Sequence, residues 1–266
     1  MLSSFDAHAA RVGPVGSGVR TGVGTVGALN GALLFARFAF MPNHLGYCGA
    51  DVNAELLAYL KADTADAGLR RHLRTFTGAY PYLQLIAESN GLADPFDPRV
   101  VEAYWIGNDL LEQVDWTLYA RHLHERFRGR LKPRTLELLV GKPPAGARAH
   151  HAFHVFDVSF RAGLPAGDAA LDLCRIGWGT VTAVEPGAFV VSYRPIVVRA
   201  GRLAFGEPRA ERVLRALGAD TVLDGAAVGD VLAFHWRWAC MILEPRQAAA
   251  LERYTTGMLA LANQTF

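Results

Sequence analysis

Near Ile176 the hydrophobic period of the chain changes, and that change limits what it can fold into. Before this point apolar residues recur at helical spacing. After it come β-branched runs broken by tight turns. The expected fold is therefore α+β: an all-helical block over 25–165, then a small β-barrel with a C-terminal helix over 166–266, preceded by a loose Gly/Ser/Val-rich tail over 1–24.

The helical block is punctuated clearly. "ALNGALLFARFAFMP" (28–42) reads as a buried helix that ends before Pro42; it is too short to span a bilayer and is interrupted by Arg37. "DVNAELLAYLKAD" places Leu56, Leu57 and Leu60 on one side. "AGLRRHLRTFTGAYPYLQLIAESNG" reads as two helices broken near Gly78–Pro81. Asp97-Pro98 is a cap followed by a proline at the first helical position. "DWTLYARHLHERFRG" closes at Gly129, and "KPRTLELLVG" runs from Pro133 to Gly141. The segment "HHAFHVFDVSFRAGLPAG" fits either period.

In the second block turns fall at Pro186-Gly187 and Ala200-Gly201, and "ERVLRALGADTVL" reads as one helix stopped by Gly218. "AVGDVLAFHWRWACMIL" reads as one long strand or a strand pair. A last helix starts at Pro245 and carries Leu251, Tyr254, Met258 and Leu261 on one stripe. So few strands avoid exposed edges most economically by closing into an OB-like barrel.

Composition narrows the function. The chain has 266 residues, 51% of them hydrophobic, with mean hydropathy +0.15, enough to bury cores in two units. Its net charge of +2 comes without a basic stripe, so nucleic acid is not an expected partner. Cys48, Cys174 and Cys240 are widely spaced and form no CxxC pair. A reducing, cytoplasmic setting is expected, with thiols that are buried, metal-binding or reactive, and neither a membrane span nor secretion.

Several constellations could carry chemistry. "GVGTVG" matches GxGxxG at Gly22, Gly24 and Gly27, but no strand precedes it and no βαβ unit surrounds it, so it reads as a tail leading into a helix. His44 and Cys48 share a turn, as two metal ligands or as turn residues with a packing thiol. His150, His151 and His154 cluster; on a helix His150 and His154 would lie one turn apart and suit one metal, with Asp157 as a further ligand or its support. The alternative is a polar loop with one histidine capping a helix. Tyr104, Trp105 and Trp116 read as core, and Asp109, Glu112 and Asp115 as a solvated face. Finally, Cys174 precedes the first strand and His235 lies on a later one. Alternation puts Ala233, His235 and Arg237 opposite Leu232, Phe234, Trp236 and Trp238, so His235 is expected to point away from the buried side.

Those last two residues mark the ends of a resemblance. "CRIGWGTVTAVE" keeps a leading Cys, Gly179 five positions on and a run of alternating Val; "VGDVLAFHWRWACMILEPRQAAALERYTTGMLAL" keeps Val-Gly-Asp, a strand, a His, an apolar run and a Leu-rich helix. In this order residues 172–264 resemble the small hydrogenase-assembly chaperones of the HypC/HupF family. The resemblance implies a carrier for the iron centre of [NiFe] hydrogenase. Cys174 and His235 would hold iron bearing cyanide and carbon monoxide, and Cys174 would contact other maturation proteins and then the hydrogenase large subunit. In the family that Cys stands near the chain's start, whereas Cys174 is internal, and "RAGRLAFGEPRAERVLRALGADT" is an insertion. Two other readings stand beside this one. The first is a mononuclear metalloenzyme using His150, His151 and His154 with His44 or Cys48. The second is a metal-free interaction module.

Overall fold

The computed structural model describes residues 30–159 and 168–265. The tail, the Gly22–Gly27 motif and the expected boundary at 165/166 lie outside them. The fold is α+β, with helices first, then a β region, then a C-terminal helix. No helix among the described residues is long and apolar enough to cross a membrane.

Helix α1 (Gly31–His44) is the axis of the helical block. It is apolar nearly all round, and Leu34, Phe35, Phe38 and Phe40 have no exposure, as a helix surrounded by protein requires. Asn30 caps it by accepting from the Ala32 N–H. The helices α2 (Asn53–Ala62), α3 (Ala67–Leu73) and α5 (Pro98–Trp105) pack on one part of its surface, and the barrel packs on another. Three more helices, α4 (Tyr80–Ser89), α6 (Trp116–Phe127) and α7 (Pro133–Val140), complete the shell. The expected starts at Pro98 and Pro133 are found. However, α1 does not stop before Pro42 but runs through it to His44. Proline removes one N–H from the helix ladder without ending the helix when neighbouring packing holds it.

After α7 a short helix α8 (His151–Phe153) passes directly into a π-helical segment (His154–Ser159). Helix α9 (Asp168–Cys174) then leads into the strands. These are β1 (Gly177–Glu185), β2 (Ala188–Tyr193), β3 (Ile196–Arg199), β4 (Arg202–Phe205), β5 (Arg209–Leu214), β6 (Ala216–Leu217), β7 (Asp220–Thr221), β8 (Val231–His235) and β9 (Trp238–Leu243). A closed barrel runs β1-β2-β5-β9-β8, antiparallel except where β5 meets β9. The hairpins β3-β4 and β6-β7 are separate. Helix α10 (Pro245–Ala262) closes the fold, with the expected Pro245 start and a capping box between Glu244 and Gln247.

The helix expected over "ERVLRALGADTVL" is absent. Residues 209–214 form β5, paired with β2 from Tyr193↔Arg209 to Ala188↔Leu214. The segment contains good helix formers, but Val213 faces the barrel core while Arg212, on the other face, pairs with Glu185. Pairing and burial override propensity.

The barrel interior holds Val181, Phe189, Val191, Val213, Leu232 and Phe234. The opposite face of β8 and β9, with Ala233, Trp238 and Cys240, joins the helical core instead. Both faces of this hairpin are therefore buried. The Val228-Gly229-Asp230 turn clasps β1: the Gly229 N–H donates to the Val181 carbonyl, and the Val181 N–H donates to that of Asp230. Gly229 has φ +97°, which favours glycine. At Gly179 a Cβ would collide with the Ser192 carbonyl, so this strand glycine marks a close backbone approach. These motif residues shape the barrel.

One buried network fixes α9 on the barrel. The Asp172 carboxylate accepts from the Ile196 N–H (2.8 Å), Tyr193 Oη–H (2.8 Å) and Arg175 Nε–H (3.1 Å). Arg175 is only 1% exposed and donates also to the Arg194 carbonyl. Removing one partner of such a pair leaves an uncompensated charge, which costs about 3–5 kcal/mol. Asp172→Ala is expected to lower unfolding stability by that order in urea titration. A loss below about 1 kcal/mol, the range of a surface ion pair, would show that the network does not anchor α9.

Candidate metal centre

Cys174 ends α9, and His235 ends β8. The fold brings them to the seam between barrel and helices, together with His151 from the first turn of α8. One ligand atom from each of His151, Cys174 and His235 lies within 4.8 Å of the others. A metal with bonds of about 2.0–2.3 Å holds tetrahedral ligands about 3.5 Å apart, so closure by about 1 Å would seat an ion.

The orientation of His235 has a specific cause. Its Nδ1–H donates to the Phe38 carbonyl at 2.7 Å. In a regular helix that carbonyl accepts the N–H four residues later, which here is Pro42 and has none. Pro42 thus frees the carbonyl that orients His235. The other nitrogen, Nε2, lies near the Cys174 carbonyl but makes no hydrogen bond of normal geometry, although the residue is 2% exposed. A buried imidazole nitrogen with a free lone pair is an orphan in an apolar setting and a ready metal ligand.

His151 is held at both nitrogens. Nε2–H donates to the Cys174 carbonyl (2.9 Å), and Nδ1 accepts from the Tyr104 Oη–H (3.2 Å). If Nε2 took a metal, Nδ1 would carry the proton and Tyr104 would accept it, the usual support for a ligating histidine. Trp105 packs against both rings, with centroids 4.5 Å from His151 and 5.7 Å from His235.

Electrostatics favours neutral imidazoles. Burial lowers His235 to about 4, and burial together with His235 and His154 holds His151 well below the ordinary histidine range. Burial pushes the Cys174 thiol up to about 12, opposed by the Trp236 indole. Without a cation Cys174 is therefore a thiol, and a metal would displace its proton.

The cluster opens onto a cavity of about 360 Å³ at the seam. Cys48, His154 and Trp236 also line it, and apolar side chains such as Leu171 and Val155 make up much of the rest. Three protein ligands and an open side facing a cavity is the pattern of sites that bind a further group.

The remaining candidates take other roles. His150 is the N-cap of α8, with φ −108° and ψ 148°, and its Nδ1 accepts from the Ala152 N–H. It therefore does not pair with His154 on one helical face, as expected; non-helical backbone at His150 and the π-segment after Phe153 break that register. His154 lines the cavity and meets Tyr82 Oη at 3.4 Å, outside the cluster. Asp157 pairs with Lys142 at 3.3 Å. His44 is exposed at the end of α1 and stacks on Phe40. Cys48 lies on the cavity wall, apart from the three-residue cluster. The expectation that His235 points away from the buried side is half met: it faces away from the barrel interior, but the helices bury that face too.

Sequence reasoning missed the Phe38 carbonyl, Tyr104 and Trp105. Only Pro42 gave a signal, through the carbonyl four residues before it.

Protonation of the buried histidines is expected to destabilise the fold. His150 is lowered to about 4 and His154 to about 3, both mainly by burial. Unfolded histidine titrates near 6.5, so the unfolded state takes up protons first as pH falls. Stability should be level above about pH 6.5 and decline down to about pH 4. His150→Asn, which keeps a capping oxygen, should flatten part of that decline in denaturant titrations across pH. Stability unchanged over that range would contradict the assignment.

A family model for a family of unknown function, DUF6390, matches residues 27–266, and the chain belongs to that family. No curated protein and no solved structure matches it.

Proposed function

We propose that this member of the DUF6390 family is an accessory factor for [NiFe] hydrogenase maturation, holding iron or an iron–cyanide/carbonyl unit at Cys174 and His235. The observation that carries the reading is the meeting of these two residues. They lie 61 positions apart, were singled out by the resemblance at the two ends of the β block, and stand within 4.8 Å of each other beside His151.

The chemistry is coherent. A thiolate and neutral imidazoles suit a soft or borderline iron centre. His151 adds a ligand from the chain's own helices, so the centre is held from both sides of the seam. The cavity gives bound small ligands a largely apolar surrounding. Delivery would go to the hydrogenase large subunit or to other maturation proteins, in the cytoplasm.

A second reading rests on the same cavity. Three ligands with one open side also fit a mononuclear metalloenzyme. Its ligands would then be His151, Cys174 and His235, in place of a set built on His150 and His154.

Iron-loaded protein should show infrared bands of bound cyanide or carbonyl. Cys174→Ala and His235→Ala should abolish both the bands and hydrogenase maturation in cells lacking the native gene. Unchanged iron content and maturation in both variants would end the proposal. Iron without diatomic bands, combined with turnover of a small substrate, would favour the enzyme. Pro42→Ala supplies an N–H that competes for the Phe38 carbonyl. It is expected to weaken metal binding by roughly tenfold, the lower end for loss of a supporting partner, with little change in fold by circular dichroism. Unaltered affinity would show that the carbonyl does not orient His235.

A further inference from the structure

Cys48 is the one thiol of the helical block, and the arrangement around it is unusual for a packing cysteine. It sits in the loop over 45–52 that joins α1 to α2, and its side chain lines the same cavity as Cys174 and His235. Glycines flank it closely, with Gly46 at φ +76° and Gly49 at φ +82°, conformations that L side chains rarely adopt.

The loop is tied to the centre at two points. Asn43, 6% exposed, donates through Nδ2 to the carbonyls of Cys48 (2.8 Å) and Ala50 (2.6 Å). Tyr47 stacks on Trp236 with ring centroids 4.1 Å apart, and Trp236 directly follows His235 at the β8–β9 turn. Trp236 and Arg237 both have positive φ, +53° and +58°, which non-glycine residues adopt only when their surroundings hold them there. The turn and the loop therefore hold each other over the cavity mouth.

A second observation points to a ligand. His235 is buried and lines the cavity, and its Nε2 has no hydrogen-bond partner. Cys48 and Cys174 line the same cavity.

Resting on the reading of His151, Cys174 and His235 as a metal centre, we propose that Cys48 is its fourth ligand, delivered by the 45–52 loop. With Cys48 away the centre has three ligands and an open side toward the cavity. With Cys48 bound it is a four-coordinate Cys₂His₂ site, which retains its ion. On binding, the Cys48 S–H bond loses its proton to solvent and a sulfur–metal bond forms, with no change in oxidation state.

Zinc-loaded full-length wild-type protein, measured by X-ray absorption at the metal edge, should show two sulfur and two nitrogen neighbours. One sulfur would overturn the proposal. Cobalt-loaded Cys48→Ser should have about half the near-ultraviolet sulfur-to-cobalt absorbance of wild type per bound metal, as should Cys174→Ser. Equal absorbance in wild type and Cys48→Ser would also overturn it. The wild-type measurement decides the matter if the variant does not fold. A wild-type chain that binds no metal would overturn both this proposal and the metal centre beneath it. One sulfur with two nitrogens would overturn only this one.

Discussion

The structure depends on how the β8–β9 hairpin is buried on both faces. One face fills the barrel with Leu232 and Phe234; the other lies against α1 and carries His235 into the helical core. That second face would be an error in a barrel standing alone, since it would expose Trp238 and Cys240 and leave an imidazole in apolar surroundings. Against α1 it is tied by two hydrogen bonds, from His235 Nδ1–H to the Phe38 carbonyl and from the Cys240 thiol to the Arg37 carbonyl. In a low-dielectric interior such a bond is strong, and its loss would leave a buried donor and acceptor both unpaired. The Phe38 carbonyl is available because Pro42 cannot use it. A proline inside α1 and a histidine nearly two hundred residues later are thus parts of one device.

From that bond the rest of the site follows. Fixing Nδ1 sets the position of Nε2. The Asp172–Arg175–Tyr193 network holds α9 so that Cys174 meets it. Tyr104 and Trp105, on α5, hold His151 from the other side. Neither block forms the cluster by itself, because the barrel block contributes Cys174 and His235 while the helices contribute His151.

Much of the fold was legible. The α5, α7 and α10 starts were marked by proline, and the barrel by its turns and by the need to close few strands. What was not legible had a common origin. Alternation along β8 separates two faces but cannot say that both are buried. The Leu- and Arg-rich segment over 209–214 reads as a helix until β2 is beside it. The histidine cluster was visible, yet periodicity favoured His150 and His154. Capping geometry at His150 and a π-turn after Phe153 make His151 the residue that reaches the seam. Pro42 was read as a stop, when its effect is to free a carbonyl. The pairing of Cys174 with His235 was legible only through resemblance, since nothing in their spacing implies contact.

The most direct test is to identify the ligating imidazoles. Full-length protein with nitrogen-15 histidines, loaded with cadmium-113, should show scalar coupling from the metal to the ring nitrogens of two residues, His151 and His235, and to no others. Coupling to His150, His154 or His44, or the absence of any coupling in a cadmium-loaded chain, would contradict a centre built across the seam.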